Sequence, residues 1–210
     1  MMEDYTDIGA TTPEALEISR KSRRLISELI GDDRPEDRIR QRCVIATGDP
    51  SVAGLLRFKG DPIQAGLAAL ERGAPIFVDI NMVFAGVLKK GHNSPVETFL
   101  GRGDDLARQQ GITRTSAGVL AMQERLDGSI VVIGNAPSAL LSLCDLMDAG
   151  SALPGLVVGV PVGFVNAAES KQRLREMDVP SISTEGTRGG TPIAVAAINE
   201  IINAHARSRK

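Results

Sequence analysis

The chain has 210 residues, of which 42% are hydrophobic and 24% are charged, a balance typical of a globular protein with one large domain or two small ones. A formal net charge of −2, without basic residues interleaved with aromatic ones, disfavours a nucleic-acid-binding protein. The N-terminus has no apolar signal region and no apolar run approaches the length of a membrane span, so we expect a cytoplasmic protein. Cys43 and Cys144 lie far apart in apolar surroundings, and we expect both to be small buried residues.

Hydrophobic periodicity and turn residues predict helices that alternate with strands along most of the chain. The first predicted helix ends at Gly31, and Asp61 followed by Pro62 indicates where the second begins. Thr115 or Ser116 is expected to cap the third. The predicted helices span residues 13–30, 61–73, 115–126, 137–147, 167–177 and 191–206, and the predicted strands span 74–79, 129–133, 156–159 and 181–184.

Strands that alternate with helices imply right-handed crossovers and a mainly parallel sheet. The strands are short continuous runs of Val and Ile, as expected where helices cover both faces of the sheet. The sequence shows no linker, low-complexity stretch or repeat of 20–50 residues. We therefore predict a single α/β domain over residues 1–210.

The carboxyl ends of the predicted strands are rich in Gly, Asn and charged residues, and ligands bind at such ends in open parallel sheets. Glycine lets the backbone approach a ligand, and the N-terminus of the next helix attracts an anion. The turn at 133–137 combines both features and predicts a site for an anionic small molecule, although glycine is also needed simply to reverse the chain. The sequence lacks both the G-x-G-x-x-G and the P-loop patterns, which disfavours a dinucleotide or ATP site.

Other polar residues leave two interpretations open. Arg114 stands just before a helix, where it is either a carboxylate clamp or an ordinary surface residue. The run 169–171 begins a helix and is either part of the site or a solvated first turn. His92 lies in a polar loop, and a single loop histidine is more often exposed than catalytic. His205 is interpreted as part of a frayed tail, and no catalytic triad or metal cluster is evident.

Several long segments resemble the precorrin-8X methylmutase family, also called cobalt-precorrin-8 methylmutases. The most unusual are Ile-Gly-Asn-Ala-Pro-Ser-Ala-Leu at 133–140 and Gly-Val-Pro-Val-Gly-Phe-Val at 159–165, the latter followed by Ala-Ala-Glu-Ser-Lys at 167–171. Lys21-Ser22 matches the family's Arg-Ser on the first helix. The remaining matching segments are residues 73–76 with Asp79, Met82 and Val83; 113–117; and 188–190.

The resemblance implies an isomerase of cobalamin biosynthesis that moves a methyl group from C11 to C12 of a corrin precursor. It also implies a Rossmann-like fold and a homodimer with the site near the interface. No ligand for a free metal is apparent in the sequence, so we expect no cofactor, and cobalt only where the substrate carries it. Possible partners are the corrinoid and the next enzyme of the pathway. The substrate-binding residues that it implies are Lys21, Ser22, Asp79, Arg114, Thr115, Ser116, Gly134, Asn135, Ser138, Gly163, Phe164, Glu169, Ser170 and Lys171.

One position departs from the family pattern, which has a histidine, proposed as the acid, in a segment of the form Val-His-Ala-x-Gly. Ile45 takes that place here, and isoleucine cannot donate a proton. Either the shift proceeds by binding and polarising the ring, or Thr47, Asp49 or His92 replaces the acid, or the protein binds and carries corrinoids without isomerising them. We favour an active enzyme, because the other motifs are intact.

Overall fold

The computed structural model describes residues 8–209, which form a six-stranded sheet with helices on both faces. The strands are β1 (Leu56–Lys59), β2 (Ile76–Val78), β3 (Val96–Thr98), β4 (Ile130–Ile133), β5 (Leu156–Gly159) and β6 (Ser181–Thr184). The helices are α1 (Pro13–Ile30), α2 (Pro35–Thr47), α3 (Val52–Leu55), α4 (Pro62–Glu71), α5 (Asn81–Gly86), α6 (Asp104–Gln110), α7 (Arg114–Ala121), α8 (Pro137–Asp148), α9 (Ala167–Glu176) and α10 (Thr191–Ser208).

The strand order is β1-β6-β5-β4-β2-β3, and every neighbouring pair is parallel except β1 with β6. The predicted mainly parallel α/β fold is therefore confirmed. The carboxyl ends of β2, β4, β5 and β6 lie along one edge of the sheet, which brings residues far apart in sequence together. We call this the carboxyl edge.

Alternate strand residues point into two apolar cores. Val78, Val132 and Val158 belong to the core beneath α2, α4 and α10, whereas Phe77, Val131 and Val157 belong to the core beneath α7, α8 and α9. All four residues of β4 and of β5 are buried, as expected for central strands covered on both faces. Cys43 and Cys144 are both buried and unpaired, as the sequence predicted.

The structure adds elements that the sequence did not predict: α2, α3, α5 and α6, together with the edge strands β1 and β3. It also corrects three predictions. Thr113, not Thr115 or Ser116, is the N-cap of α7, because its hydroxyl accepts a hydrogen bond from the Ser116 amide at 3.2 Å. That helix ends at Ala121, and a short 3₁₀ turn follows it. His205 is not in a frayed tail: it lies within α10 and its exposed fraction is only 2%.

Helix α1 stands apart from both cores. It packs on α2, and Arg23 is its one buried residue, while Ile18, Leu25 and Leu29 are mostly exposed. Thr12 caps its N-terminus by accepting a hydrogen bond from the Ala15 amide. None of the helices within residues 8–209 is long and apolar enough to cross a membrane.

Candidate active site

The turn after β4 is closed by a carboxylate of the protein itself. Val78 pairs with Val132, so β2 and β4 end side by side and Asp79 faces the turn. The Asp79 carboxylate accepts hydrogen bonds from the amides of Gly134 at 3.2 Å, Asn135 at 2.7 Å and Ala136 at 2.9 Å. Asp79 has no exposed surface, and burial raises the pKa of its carboxyl while the three amides act in the opposite direction.

This contact corrects the interpretation of the turn as an open anion site. The three amides just before α8 already donate to a carboxyl group of the protein itself, that of Asp79, so they are not available to a substrate carboxylate in this structure. Asp79 holds the turn in place and does not reach the protein surface. The exposed part of the turn is the side chain of Asn135.

Gly134 is required for close packing against α10. A Cβ atom at this position would lie 2.9 Å from the Ala194 Cβ, 3.0 Å from the Val83 Cγ2 and 3.2 Å from the Thr191 Cα. Two of these neighbours belong to the first turn of α10, and the third belongs to α5. The glycine therefore lets α5, α8 and α10 converge at the carboxyl edge.

Two loops at the carboxyl edge are joined by backbone hydrogen bonds. The Gly190 amide donates to the Val160 carbonyl at 2.7 Å, and the Gly163 amide donates to the Thr187 carbonyl at 3.0 Å. The tip of the first loop is apolar and faces solvent, since Phe164 is 94% exposed. The loop therefore presents an aromatic ring that an apolar ligand or a second protein surface can cover.

The residues of the motif at the start of α9 lie partly at the surface and partly in the interior. Glu169 is exposed, whereas Ser170 and Lys171 are fully buried. The Lys171 Nζ donates to the Thr184 Oγ1 at 3.1 Å and to the Arg188 carbonyl at 2.6 Å, and burial lowers the pKa of Lys171 to about 8. Lys171 thus anchors the loop before α10 from inside the protein.

Polar side chains link the starts of α7 and α8. The hydroxyl groups of Thr113 and Ser138 are 2.8 Å apart, and Ser116 and Thr115 lie next to Thr113 on α7. Arg114 is exposed, and its Nε and Nη2 each lie 3.0 Å from an oxygen of Asp104. This pair raises the pKa of the Arg114 guanidinium and lowers that of the Asp104 carboxyl, chiefly through the hydrogen bonds between them.

A separate opening lies between α1, α2 and α10, with a volume of about 490 Å³. We call it the α1–α2 cavity. It brings together Ser22 and Ile45, two positions that the sequence analysis singled out from different helices. Lys21 is exposed beside Ser22 on α1. The walls of the cavity include Ile18, Ser22, Arg42, Ile45, Leu88 and Asn199.

Comparison with known proteins decides the family. The model of the family described as "Precorrin-8X methylmutase" matches residues 17–204. This chain belongs to the precorrin-8X methylmutase family. A cobalt-precorrin-8 methylmutase of Methanocaldococcus jannaschii is 44% identical over 214 residues, covering 97% of this chain and all of that protein. A precorrin-8X methylmutase of Pseudomonas aeruginosa is 40% identical, covering 83% of this chain and 87% of that protein.

The fold of the family is also found here. The precorrin-8X methylmutase of Thermus thermophilus matches with a TM-score of 0.84 and 36% sequence identity, over 91% of this chain and 97% of that one. The resemblance found in the sequence is therefore confirmed, as is the α/β fold that it implied. Residues 8–209 contain no group of three or more His, Cys, Asp or Glu side chains placed to hold a metal ion.

The three residues considered as replacements for the methylmutase histidine have other partners. The Thr47 hydroxyl donates to the Cys43 carbonyl at 2.8 Å within α2. Asp49 pairs with Arg188 and accepts hydrogen bonds from the amide and hydroxyl of Ser51. These contacts hold Asp49 in a loop next to the start of α10.

His92 uses both of its ring nitrogens locally. Its Nδ1 accepts a hydrogen bond from the Ser94 amide at 3.1 Å, and its Nε2 lies 2.8 Å from the Leu88 carbonyl. Together these contacts require the tautomer protonated at Nε2. Ile45, which the sequence analysis matched to the position of the family's proposed acid, is 40% exposed and lines the α1–α2 cavity.

The sequence analysis missed most of the residues that line the α1–α2 cavity, among them Arg42, Leu88 and Asn199. Arg42 lies one turn before Ile45 on α2, and Leu88 follows α5. Asn199 supports that wall, because its Oδ1 accepts a hydrogen bond from the Leu88 amide at 2.9 Å and its Nδ2 donates to the Gly86 carbonyl at 2.9 Å. The spacing of Arg42 and Ile45 on one helix would have indicated their common side only if α2 had been predicted.

Proposed function

We propose that this protein catalyses the methylmutase reaction of cobalamin biosynthesis, moving a methyl group from C11 to C12 of precorrin-8 or cobalt-precorrin-8 to give hydrogenobyrinate or cobyrinate. The observation that carries this proposal is the family match, which spans residues 17–204 and is supported by relatives with that activity in their names. Relatives named for the cobalt-containing and for the metal-free substrate both match, so either ring is a candidate. The protein needs no cofactor of its own, and any cobalt arrives within the substrate.

The reaction is a rearrangement within one molecule. The bond between C11 and the methyl group breaks, the bond between C12 and the same methyl group forms, and no leaving group or external redox partner is involved. Such a reaction needs no protein nucleophile, and the enzyme accelerates it by holding and polarising the ring in a reactive geometry. A mostly apolar pocket suits this task, because it can bury much of the surface of an apolar macrocycle.

The α1–α2 cavity supports this proposal at the position of the family's acid. Ile45 supplies an apolar wall there, and Ser22 supplies a hydroxyl group on the facing helix. We place the reacting part of the corrinoid against these two residues. Lys21, Arg114, Asn135, Ser138 and Phe164 are exposed or half-buried and remain predicted contacts for the rest of the ring and its carboxylates.

We further propose that the enzyme works in the cytoplasm as a homodimer. Ile18, Leu25 and Leu29 are 59%, 56% and 67% exposed, and their spacing places them along one stripe of α1. Ile18 also lines the α1–α2 cavity, so a second copy that covers the stripe would border the site. Light scattering is expected to give the mass of a dimer. Leu25→Asp should shift it towards the monomer, whereas Leu153→Asp, on a leucine elsewhere that is also mostly exposed, should leave the dimer intact.

Conversion of the substrate by purified protein tests the proposed function. Precorrin-8 and cobalt-precorrin-8 are supplied separately, and the appearance of hydrogenobyrinate or cobyrinate is followed by absorbance. We expect turnover with at least one of the two rings. Tight binding of the product without turnover by either would instead support the alternative, a corrinoid carrier that delivers the intermediate to the next enzyme.

A further inference from the structure

A buried network of charged side chains lies next to the α1–α2 cavity. The Glu200 carboxylate of α10 is 3% exposed and contacts three guanidinium groups. Its Oε2 lies 2.6 Å from the Arg42 Nε and 3.3 Å from the Arg23 Nη1, and its Oε1 lies 3.1 Å from the Arg207 Nη2. Among residues 8–209, three guanidinium groups therefore contact the Glu200 carboxylate where α1, α2 and α10 meet.

The three arginines differ in what they face. Arg42 lines the α1–α2 cavity together with Ser22 and Ile45. Arg207 lines another cavity, of about 330 Å³, which lies between α2, α4 and α10 and also includes Glu200. Arg23 is buried between the helices and donates from its Nε to the Gln41 Oε1 at 2.9 Å. Arg42 is therefore the member of this network that a ligand in the α1–α2 cavity can meet.

The charge of Arg42 sets it apart from the rest of the cavity wall. Within the described part of the chain, the other lining side chains are apolar or neutral, as in Ile18, Ser22, Leu88 and Asn199. The Arg42 side chain is only 17% exposed, and a guanidinium that is mostly buried forms strong hydrogen bonds to a carboxylate, which a neutral amide replaces poorly. Glu200 fixes the Arg42 side chain through the 2.6 Å contact, so Arg42 is oriented before any ligand enters.

We propose that Arg42 is a further substrate-binding residue, which contacts a peripheral carboxylate of the corrinoid and makes the protein prefer carboxylated over amidated rings. Glu200 is the positioning residue that holds Arg42 in place. This inference rests on the proposed function, since it takes the α1–α2 cavity as the corrinoid site. It adds a residue that selects the ring by its charge, independently of the methyl shift.

Titration with two ligands tests the inference. The probes are hydrogenobyrinate and the same ring with its carboxylates converted to amides, and binding is followed by absorbance. For hydrogenobyrinate, Arg42→Gln is expected to raise Kd about tenfold or more, as for the loss of one charged hydrogen bond. For the amidated ring, the same substitution is expected to change Kd less than twofold.

Arg207→Gln is the matched control, because it removes another guanidinium from Glu200 without changing the α1–α2 cavity. It is expected to leave both affinities within about twofold. An equal loss in Arg207→Gln, or an equal loss for both ligands in Arg42→Gln, would overturn the inference. Glu200→Gln should weaken hydrogenobyrinate binding less than Arg42→Gln does, since the guanidinium remains but is less firmly held.

Two further results keep this test separate from the proposed function. If Arg42→Gln does not fold, Arg42→Lys takes its place and should weaken hydrogenobyrinate binding severalfold, because lysine lacks the planar fork. Unchanged binding by Arg42→Lys would then reject the inference. Wild-type protein that shows the ligand preference but no methyl transfer would reject the proposed function alone, and protein that binds neither ring would reject both.

Discussion

The turn after β4 and the α1–α2 cavity differ in whether their anion-binding groups are available to a ligand. At the turn, three backbone amides point at one place, but the buried Asp79 carboxylate already occupies it. In the cavity, the Arg42 guanidinium faces an opening of about 490 Å³ whose other walls, among residues 8–209, are apolar or neutral. The difference shows that a good anion-binding geometry can serve the fold alone, while a site for a large apolar anion needs open space next to its charge.

Removing the carboxylate from the turn should have the largest effect on stability. Asp79→Asn keeps one acceptor oxygen but turns an amide donor towards the amides of Gly134, Asn135 and Ala136. We expect the free energy of unfolding in urea to fall by about 3 kcal/mol, as for a broken buried network. Asp61→Asn, at the partly solvated N-cap of α4, is the matched control and should cost less than about 1 kcal/mol. Equal losses would mean that Asp79 is an ordinary cap.

Lys171 gives the carboxyl edge a dependence on pH. Burial lowers its pKa from 10.5 to about 8, so the folded protein favours the neutral amine, whose two N–H groups suit the Thr184 hydroxyl and the Arg188 carbonyl. As pH falls from about 10 to 8, the unfolded chain takes up a proton before the folded one does. Wild type should therefore lose on the order of 2 kcal/mol relative to Lys171→Met over this range. The free energy of unfolding of wild type minus that of Lys171→Met should therefore fall with falling pH. A value that stays constant or rises would contradict this prediction.

Gly134 tests how tightly the turn is packed. Gly134→Ala places a Cβ within 3.2 Å of both Ala194 and Thr191, so the first turn of α10 must move. We expect a loss of about 2 kcal/mol in the free energy of unfolding from overpacking. Gly54→Ala is the control, because a Cβ there meets no atom within 4 Å and its backbone needs no positive φ. A Gly134→Ala protein as stable as Gly54→Ala would show that the turn is loosely packed.

Ile45 tests the chemistry of the cavity and should have the smallest effect. If binding and polarisation of the ring supply most of the acceleration, Ile45→His should change kcat by less than about tenfold, which is about 1.4 kcal/mol in the barrier. Ile45→Val is the control for a change of shape without a new acid. A rise of tenfold or more in Ile45→His alone would show that a missing proton donor limits the wild-type enzyme.

The elements that the sequence predicted well lie in the second half of the chain, where strands and helices alternate regularly. β4, β5 and β6 with the helices that follow them lie within a residue or two of their predicted bounds. β4 and β5 are continuous apolar runs apart from Gly159, whereas β6 buries Ser181, Ser183 and Thr184 and was predicted from its place in the alternation of strands and helices. α2 was missed because it buries polar side chains, Asp37 and Gln41, beside Ile39, Cys43 and Val44, and hydrophobic periodicity does not register these. β1 and β3 are short edge strands without a continuous apolar run.

The sequence predicted which segments form the candidate site, but not how these segments are arranged in space. The family motifs led to Ser22, Ile45 and Asp79, but the partner of Asp79 lies 55 residues away and depends on β2 and β4 being neighbours. The role of Arg42 depends on Glu200, which is 158 residues away on α10. Contacts of this range follow from the strand order and helix packing, which local patterns do not specify.

A crystal structure with hydrogenobyrinate bound tests the central claim most directly, because it shows which of the two regions accepts the corrinoid. We predict that the ring covers Ile45, that one of its carboxylates contacts Arg42, and that Asp79 keeps its hydrogen bonds to the amides of Gly134, Asn135 and Ala136. A corrinoid carboxylate bound to those amides, with Asp79 displaced and the α1–α2 cavity empty, would contradict the account.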